Sequence, residues 1–173
     1  MARKHTLWSC VCTAFLLIAA QTASIKADGG GSYGPYSRTP LLDREGKGAG
    51  TVLLYGGVGI HAVVVLRHIP PGEYAVTLHA GKACIAPDFS SAGDFLVLAK
   101  KPSKPADKAE WNAGAYPVLL TVHADGLARK ELDIPYVQLW GQRNAAGHTL
   151  ILSSTTKPGI ENRLACGVIA PAS

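Results

Sequence analysis

IPPGEYAVTLHAGKAC, residues 69–84, carries the reading of the fold. A Pro-Pro-Gly turn leads into YAVTLHA, which alternates apolar and polar side chains. Successive strand residues point to opposite faces, so Val76 and Leu78 share one face and Thr77 and His79 the other. The stretch ends at Cys84, five residues after His79. A histidine and a cysteine so placed fit a metal site, a disulfide anchor or neither, and the rest of the chain must decide.

Working outward, the same pattern recurs. TVLLY, GGVG and IHAVVVLRHI are two β-branched runs around a glycine turn. YPVLLTVHADGLARKELDI is a strand, a turn at Asp125-Gly126 and a second strand. YVQLWGQRNAAGHTLILSS reads as strand, long turn, strand, and LACGVIA as a final short strand; DFLVLAK is a short strand or part of a loop. No long segment has a helical period. Many short strands separated by turn signals indicate an all-β sandwich or barrel over residues 51–173.

Two segments precede that domain. Arg3, Lys4 and His5, then the apolar run LWSCVCTAFLLIAA (7–20), then small residues, read as a secretory signal peptide over 1–27, cut between Ala23 and Ala27. The run is shorter than the ~20 apolar residues of a spanning helix, so no stable membrane anchor is expected. Residues 28–50, rich in Gly, Pro, Ser and Tyr, read as a flexible arm. With the signal go Cys10, Cys12 and three of the 17 Lys and Arg residues, leaving 14 against 12 acids, a net charge of +2. No basic stripe with interleaved aromatics remains, and nucleic acid is not an expected partner. Cys84 and Cys166 remain as a pair. In an exported chain they most simply form one disulfide, closing an 82-residue loop (166 − 84) worth about 4–5 kcal/mol by chain entropy. A metal site built on two cysteines would need further ligands.

IPPGEYAVTLHAGKAC, DFSSAG (88–93), NAGAYP (112–117), LTVHADG (120–126) and RLACGVI (163–169), in that order, resemble the copper–zinc superoxide dismutases, of the secreted bacterial type. The resemblance covers about residues 50–170. It implies a flattened Greek-key β-barrel, a periplasmic or secreted location, and Cys84 and Cys166 as the family's intradomain disulfide. It also implies what is missing. The family's first copper histidine on this strand is here Thr77, and the second is His79. The bridging histidine is absent from SAGDF, where Asp94 and Phe95 stand. The zinc-loop positions are Asn112 and Ala115, and the last copper histidine is Ser153. One copper ligand of four survives, and no zinc ligand does. Redox cycling of copper takes several imidazoles, and zinc takes several convergent His, Cys or carboxylate donors.

The reading is therefore an exported dismutase-like protein that has lost copper/zinc-dependent dismutation and binds an unknown protein or small ligand. The alternative is a copper-, zinc- or haem-binding protein, or a residual dismutase, with a non-standard site. No cofactor is expected on the first reading; His79 is the candidate ligand on the second. Arg163 matches the arginine that attracts superoxide in the family. It is a candidate for anion binding or for anchoring a loop through its five donors. The segment STTKPGIEN (154–162) lacks the aspartate that links the family's two metal sites. His61 and His68, seven apart on one strand, face opposite sides and do not chelate together. His123 and His148 reach His79 only through tertiary folding or across a homodimer. Some bacterial members of the family bind haem through an interface histidine, but no residue here matches a haem motif. Trp111 and Tyr116 are candidate interface residues, and Trp140 is expected in the core. Four lysines (100, 101, 104 and 108) read as a solvated face.

Overall fold

The computed structural model describes residues 34, 36–98, 111–112, 117–156 and 159–173. These fall in a unit running from Gly31 to Ser173. The expected signal peptide, Tyr116 and the four loop lysines lie outside the described residues.

Ten strands follow the chain: β1 Tyr36–Asp43, β2 Gly48–Gly56, β3 Ile60–Leu66, β4 Gly72–His79, β5 Val97–Leu98, β6 Trp111–Asn112, β7 Val118–Val122, β8 Ala128–Ile134, β9 Thr149–Ser154 and β10 Arg163–Val168. Eight form one antiparallel sheet in the order β7-β4-β9-β10-β1-β2-β3-β8; β5 and β6 pair separately. β7 and β8, joined by the Asp125-Gly126 turn, flank the seam of a nearly closed barrel. The chain leaves β3, crosses to β4, and returns as β8 to pair with β3, a Greek-key excursion. The expected all-β barrel is present, with one disulfide between Cys84 and Cys166 (Cα–Cα 5.6 Å).

Strict alternation fills the barrel. Val52 and Leu54 of β2, Ala62, Val64 and Leu66 of β3, Tyr74, Val76 and Leu78 of β4, and Leu150 and Leu152 of β9 all face one core. A smaller cluster lies on the outer face of β9 and β10, where Ile151 and Cys166 are covered by Phe89 and Ala92 of the loop after β4, with Cys84 packed against them. Among the described residues no helix is long and apolar enough to cross a membrane.

Three expectations are corrected. First, the N-terminal arm does not extend to residue 50. Residues 36–43 are β1, which pairs along its length with β2 and reaches β10 through Leu42↔Cys166 and Asp43↔Ala165. Ser37, Thr39 and Leu41 point inward and are buried, so polar side chains hid the alternation. Second, residues 136–140 are not a strand. Tyr136 has a φ of 64°, and the loop closes on itself through Gln138 N–H to Arg143 O (2.9 Å) and Ala145 N–H to Gln138 O (2.8 Å). Val137 and Leu139 of this loop are buried, which turns Trp140 outward at 41 % exposure instead of into the core. Third, His68 lies beyond β3, in a turn with φ 58°, so it shares no strand with His61.

β1 contributes a buried Leu41 and is the strand that joins β2 to β10. A chain starting at Thr51 therefore loses the link between the two halves of the sheet. It is expected to show no cooperative urea transition by far-UV circular dichroism, whereas a chain starting at Gly31 keeps the full transition.

Candidate functional site

The outer face of β4 and β9 gathers the positions singled out in the sequence. Thr77 is in register with Ile151, His79 with Thr149, and Ala75 with Ser153; Ser153 in turn faces Arg163 on β10. Thr77, His79 and Ser153 thus lie on one face of two adjacent strands. The loop from Ala80 to Leu96 folds over part of this face. Ala80 N–H donates to Asp94 O (2.8 Å), Gly81 N–H to Ala92 O (2.7 Å), and Leu96 N–H to Leu78 O (3.0 Å). Gly81 is required at that crossing, because a Cβ there would overlap the backbone of Ser91 and Ala92.

His79 is buried, at 4 % exposure, and both ring nitrogens are engaged. Nδ1 lies 2.9 Å from the Gly93 carbonyl oxygen, and Nε2 lies 3.0 Å from the Thr77 hydroxyl. A carbonyl only accepts, so Nδ1 carries the hydrogen. The neutral ring then offers the Nε2 lone pair to the Thr77 O–H. The other acceptor near that hydroxyl, Ile151 O, is more distant at 3.5 Å. The Phe95 ring lies 5.1 Å from the imidazole, centroid to centroid, and so covers it. Thr77 stands where a second imidazole is expected by resemblance, and its hydroxyl occupies the lone pair a metal would take. Burial holds the His79 pKa below the ordinary imidazole value. The bond to Gly93 opposes this, the Arg163 charge reinforces it, and Asp94 opposes it.

Arg163 is buried to 9 % exposure beneath the same loop. Its two terminal nitrogens donate to Phe89 O (2.6 Å) and Gly93 O (2.9 Å). A bulge between Arg163 and Ala165 redirects β10 at this point. Arg44 donates from Nε to the Arg163 carbonyl (2.8 Å) and from a terminal nitrogen to Glu161 O. Gly93 O therefore receives both Arg163 and His79.

The other histidines are dispersed. His148 Nδ1 donates to Ala80 O (2.8 Å), so it holds the loop next to His79 without sharing a ligand position. His123 is exposed in the turn after β7, and His61 pairs with Asp133 at 2.9 Å across β3 and β8, in the other half of the barrel. Among the described residues, no three His, Cys, Asp or Glu side chains converge as a metal-holding group. The donor set around His79, a hydroxyl, a carbonyl and a phenyl ring, does not fit copper or zinc. Trp111 lies in β6, opposite Leu98. The cover over His79, Phe95, was not singled out in the sequence as a contact of that ring.

Two outcomes follow. The unfolded chain binds a proton at His79 near pH 6.5, before the folded chain does. Stability is therefore expected to fall as pH drops below about 6.5, with a slope from this group of at most ~1.4 kcal/mol per pH unit, levelling below the folded pKa. His79→Gln should remove that component, as read from urea midpoints between pH 8 and pH 5. Arg163→Ala removes two charge-assisted hydrogen bonds, leaving Phe89 O with the Ala92 N–H and Gly93 O with His79, and should cost about 1–3 kcal/mol. Amide exchange should rise over residues 88–94 and stay unchanged in β2 and β3.

The comparisons with known proteins agree with this architecture. A family model for copper/zinc superoxide dismutase (SODC) matches residues 49–169. A search of curated proteins returned no match. Among solved structures, a SOD-like protein from Bacillus subtilis is 23 % identical, covers 75 % of this chain and 95 % of its own, and superposes with a TM-score of 0.55. A double mutant of such a protein from Bacillus subtilis, with a tyrosine and a proline each replaced by histidine, is 24 % identical (77 % and 96 % covered, TM-score 0.58). The Cu/Zn superoxide dismutase from Brucella abortus is 18 % identical (78 % and 99 % covered, TM-score 0.55). At these identities the structures speak for the fold, and the family match over residues 49–169 carries membership: the chain belongs to the copper/zinc superoxide dismutase family.

Proposed function

We propose that this member of the family does not dismute superoxide through copper and zinc, and that it serves as an exported, periplasmic or secreted, ligand- or partner-binding module. The observation that carries this reading is the Thr77–His79 hydrogen bond. At the surviving copper position, Nε2 accepts from a hydroxyl at 3.0 Å and Nδ1 donates to a carbonyl at 2.9 Å, so the imidazole has no lone pair left to offer. Ser153 adds only a hydroxyl on the neighbouring strand. On this reading Arg163 is a loop anchor, because two of its donors are committed to backbone carbonyls. What remains is a disulfide-clamped barrel whose loops and faces are available for recognition; a fold by itself dictates no activity.

The test is metal content and turnover together. The protein is incubated with excess copper and zinc, dialysed against a weak chelator, and assayed. The expected result is well under one metal per chain and superoxide decay no faster than buffer, with His79→Ala unchanged in both. Stoichiometric copper that disappears in His79→Ala, or dismutation that survives the dialysis, overturns the proposal.

A further inference from the structure

The outer face of the other half of the barrel carries a row of side chains that the family site does not use. Tyr36 of β1 is in register with Tyr55 of β2, Tyr55 with His61 of β3, and His61 with Asp133 of β8. The rings touch in sequence: Tyr36 and Tyr55 stack at 6.3 Å, and Tyr55 and His61 lie 6.2 Å apart. His61 Nδ1 is 2.9 Å from Asp133 Oδ1. Three interstrand spacings make the row about 14 Å long.

Beside the row is an open groove of about 630 Å³, bounded by the β2–β3 turn and by Pro135 and Tyr136. Its wall depends on a close backbone approach: a Cβ on Gly59 would lie 2.7 Å from Ile134 O. Val58, at the tip of the turn, is 92 % exposed, and Tyr36 and Tyr136 are about half exposed. Apolar groups left in water at one place mark an interaction surface.

The groove is polarised. Along the row the rings of Tyr36 and Tyr55 occupy the β1–β2 end, and Tyr136, in the turn after β8, borders the groove as well. At the β8 end the Asp133 side chain is 86 % exposed, and among the described residues one of its oxygens is engaged, by His61. Glu131, next along β8, is already paired with Arg129. Arg143 stands 5.9 Å from the Tyr136 centroid. An aromatic platform ending in a carboxylate complements a ligand that is apolar and stiff at one end and cationic at the other. A polyproline helix rises 3.1 Å per residue, so four to five residues span roughly 14 Å. Its proline rings pack on aromatic faces, and its ordering cost is low because the conformation is preformed. A neutral saccharide would use the rings and donate a hydroxyl to the carboxylate as well, but its binding would not weaken with salt as that of a cationic peptide does.

We propose that this groove binds a proline-rich segment of a partner protein, with a basic residue at the end that meets Asp133. The inference rests on the reading of the chain as a binding module and names the face and the partner chemistry.

The test uses amide shifts of the ¹⁵N-labelled protein. One probe is a synthetic peptide of six prolines followed by two arginines; the second ends in two glutamates; the third is cellohexaose. The expected result is binding of the arginine peptide, with shifts at Val58, Gly59, His61 and Asp133, and weakening as salt is raised. The glutamate peptide should bind more weakly. Asp133→Asn and Val58→Lys, both at exposed positions, should each weaken the arginine peptide about threefold or more while leaving the urea midpoint in place. Equal binding of both peptides overturns the charge assignment. Binding of cellohexaose alone overturns the partner class. Shifts confined to residues 80–96, or none at all, overturn the site. None of these outcomes bears on metal loading or dismutation, so the proposed function fails or stands by its own assay.

Discussion

The structure turns on how the loop between β4 and β5 is fastened to the sheet. One covalent bond, Cys84–Cys166, ties it to β10, and Arg163 from the same strand ties it again through two carbonyls. His79 and His148 add bonds from β4 and from the start of β9. With Phe89 and Ala92 packed on Ile151 and Cys166, these contacts turn an exposed sheet face into a second, small interior. Everything distinctive about His79 follows from lying under that cover. It is dry, it is neutral, and its tautomer is set by the backbone.

On the proposed reading, this cover is what lets a lone histidine persist at a former ligand position. An imidazole buried without partners would be costly, since each unsatisfied polar atom in such a place loses its hydration. Here the loop carbonyl and the Thr77 hydroxyl supply one acceptor and one donor, which is all that a neutral ring needs. On the proposed reading the role is structural: the same chemistry that makes imidazole a ligand makes it a good bridge between strand and loop. Arg163 is in a comparable position. Its charge is buried beneath the loop, but its planar fork matches two carbonyls.

The sequence carried most of the barrel, because alternation in TVLLY, IHAVVVL and YAVTLHA is a direct image of faces in and out. It failed at β1. Ser37 and Thr39 are inward hydroxyls, buried without hydrogen-bond partners among the described residues, and Pro40 breaks the pattern further. A polar, proline-containing strand after a glycine-rich stretch looks like a linker. It failed again at Val137 and Leu139, where a buried loop imitates a strand over a few residues. Of the site, Thr77 and His79 could be placed on a shared face by period; Ser153 entered only through the resemblance, and its place beside them is set by the β4–β9 register. That the Thr77 hydroxyl would turn toward Nε2, and that Phe95 would cover the ring, depends on a loop path that no local pattern encodes. The tyrosine row was invisible for a plainer reason: without β1, Tyr36 has no strand beside Tyr55.

The position of β1 also bears on how the molecule is made. Its partners are β2, five residues away across a tight turn, and β10, reached at Leu42↔Cys166 after 124 intervening steps along the chain (166 − 42). The hairpin from β1 to β3 can therefore form early, since its loops are short. The ladder that joins it to the rest cannot form until almost the whole domain has been synthesised. Until then β1 presents an open edge, a template for pairing with another chain. Tyr36 and the C-terminal Ser173 exchange backbone hydrogen bonds at the other end of β1 in the finished barrel. Completing the chain and covering the β1 edge are thus linked. A topology so rich in distant pairings sets that covering among the slower folding events known for domains of this size.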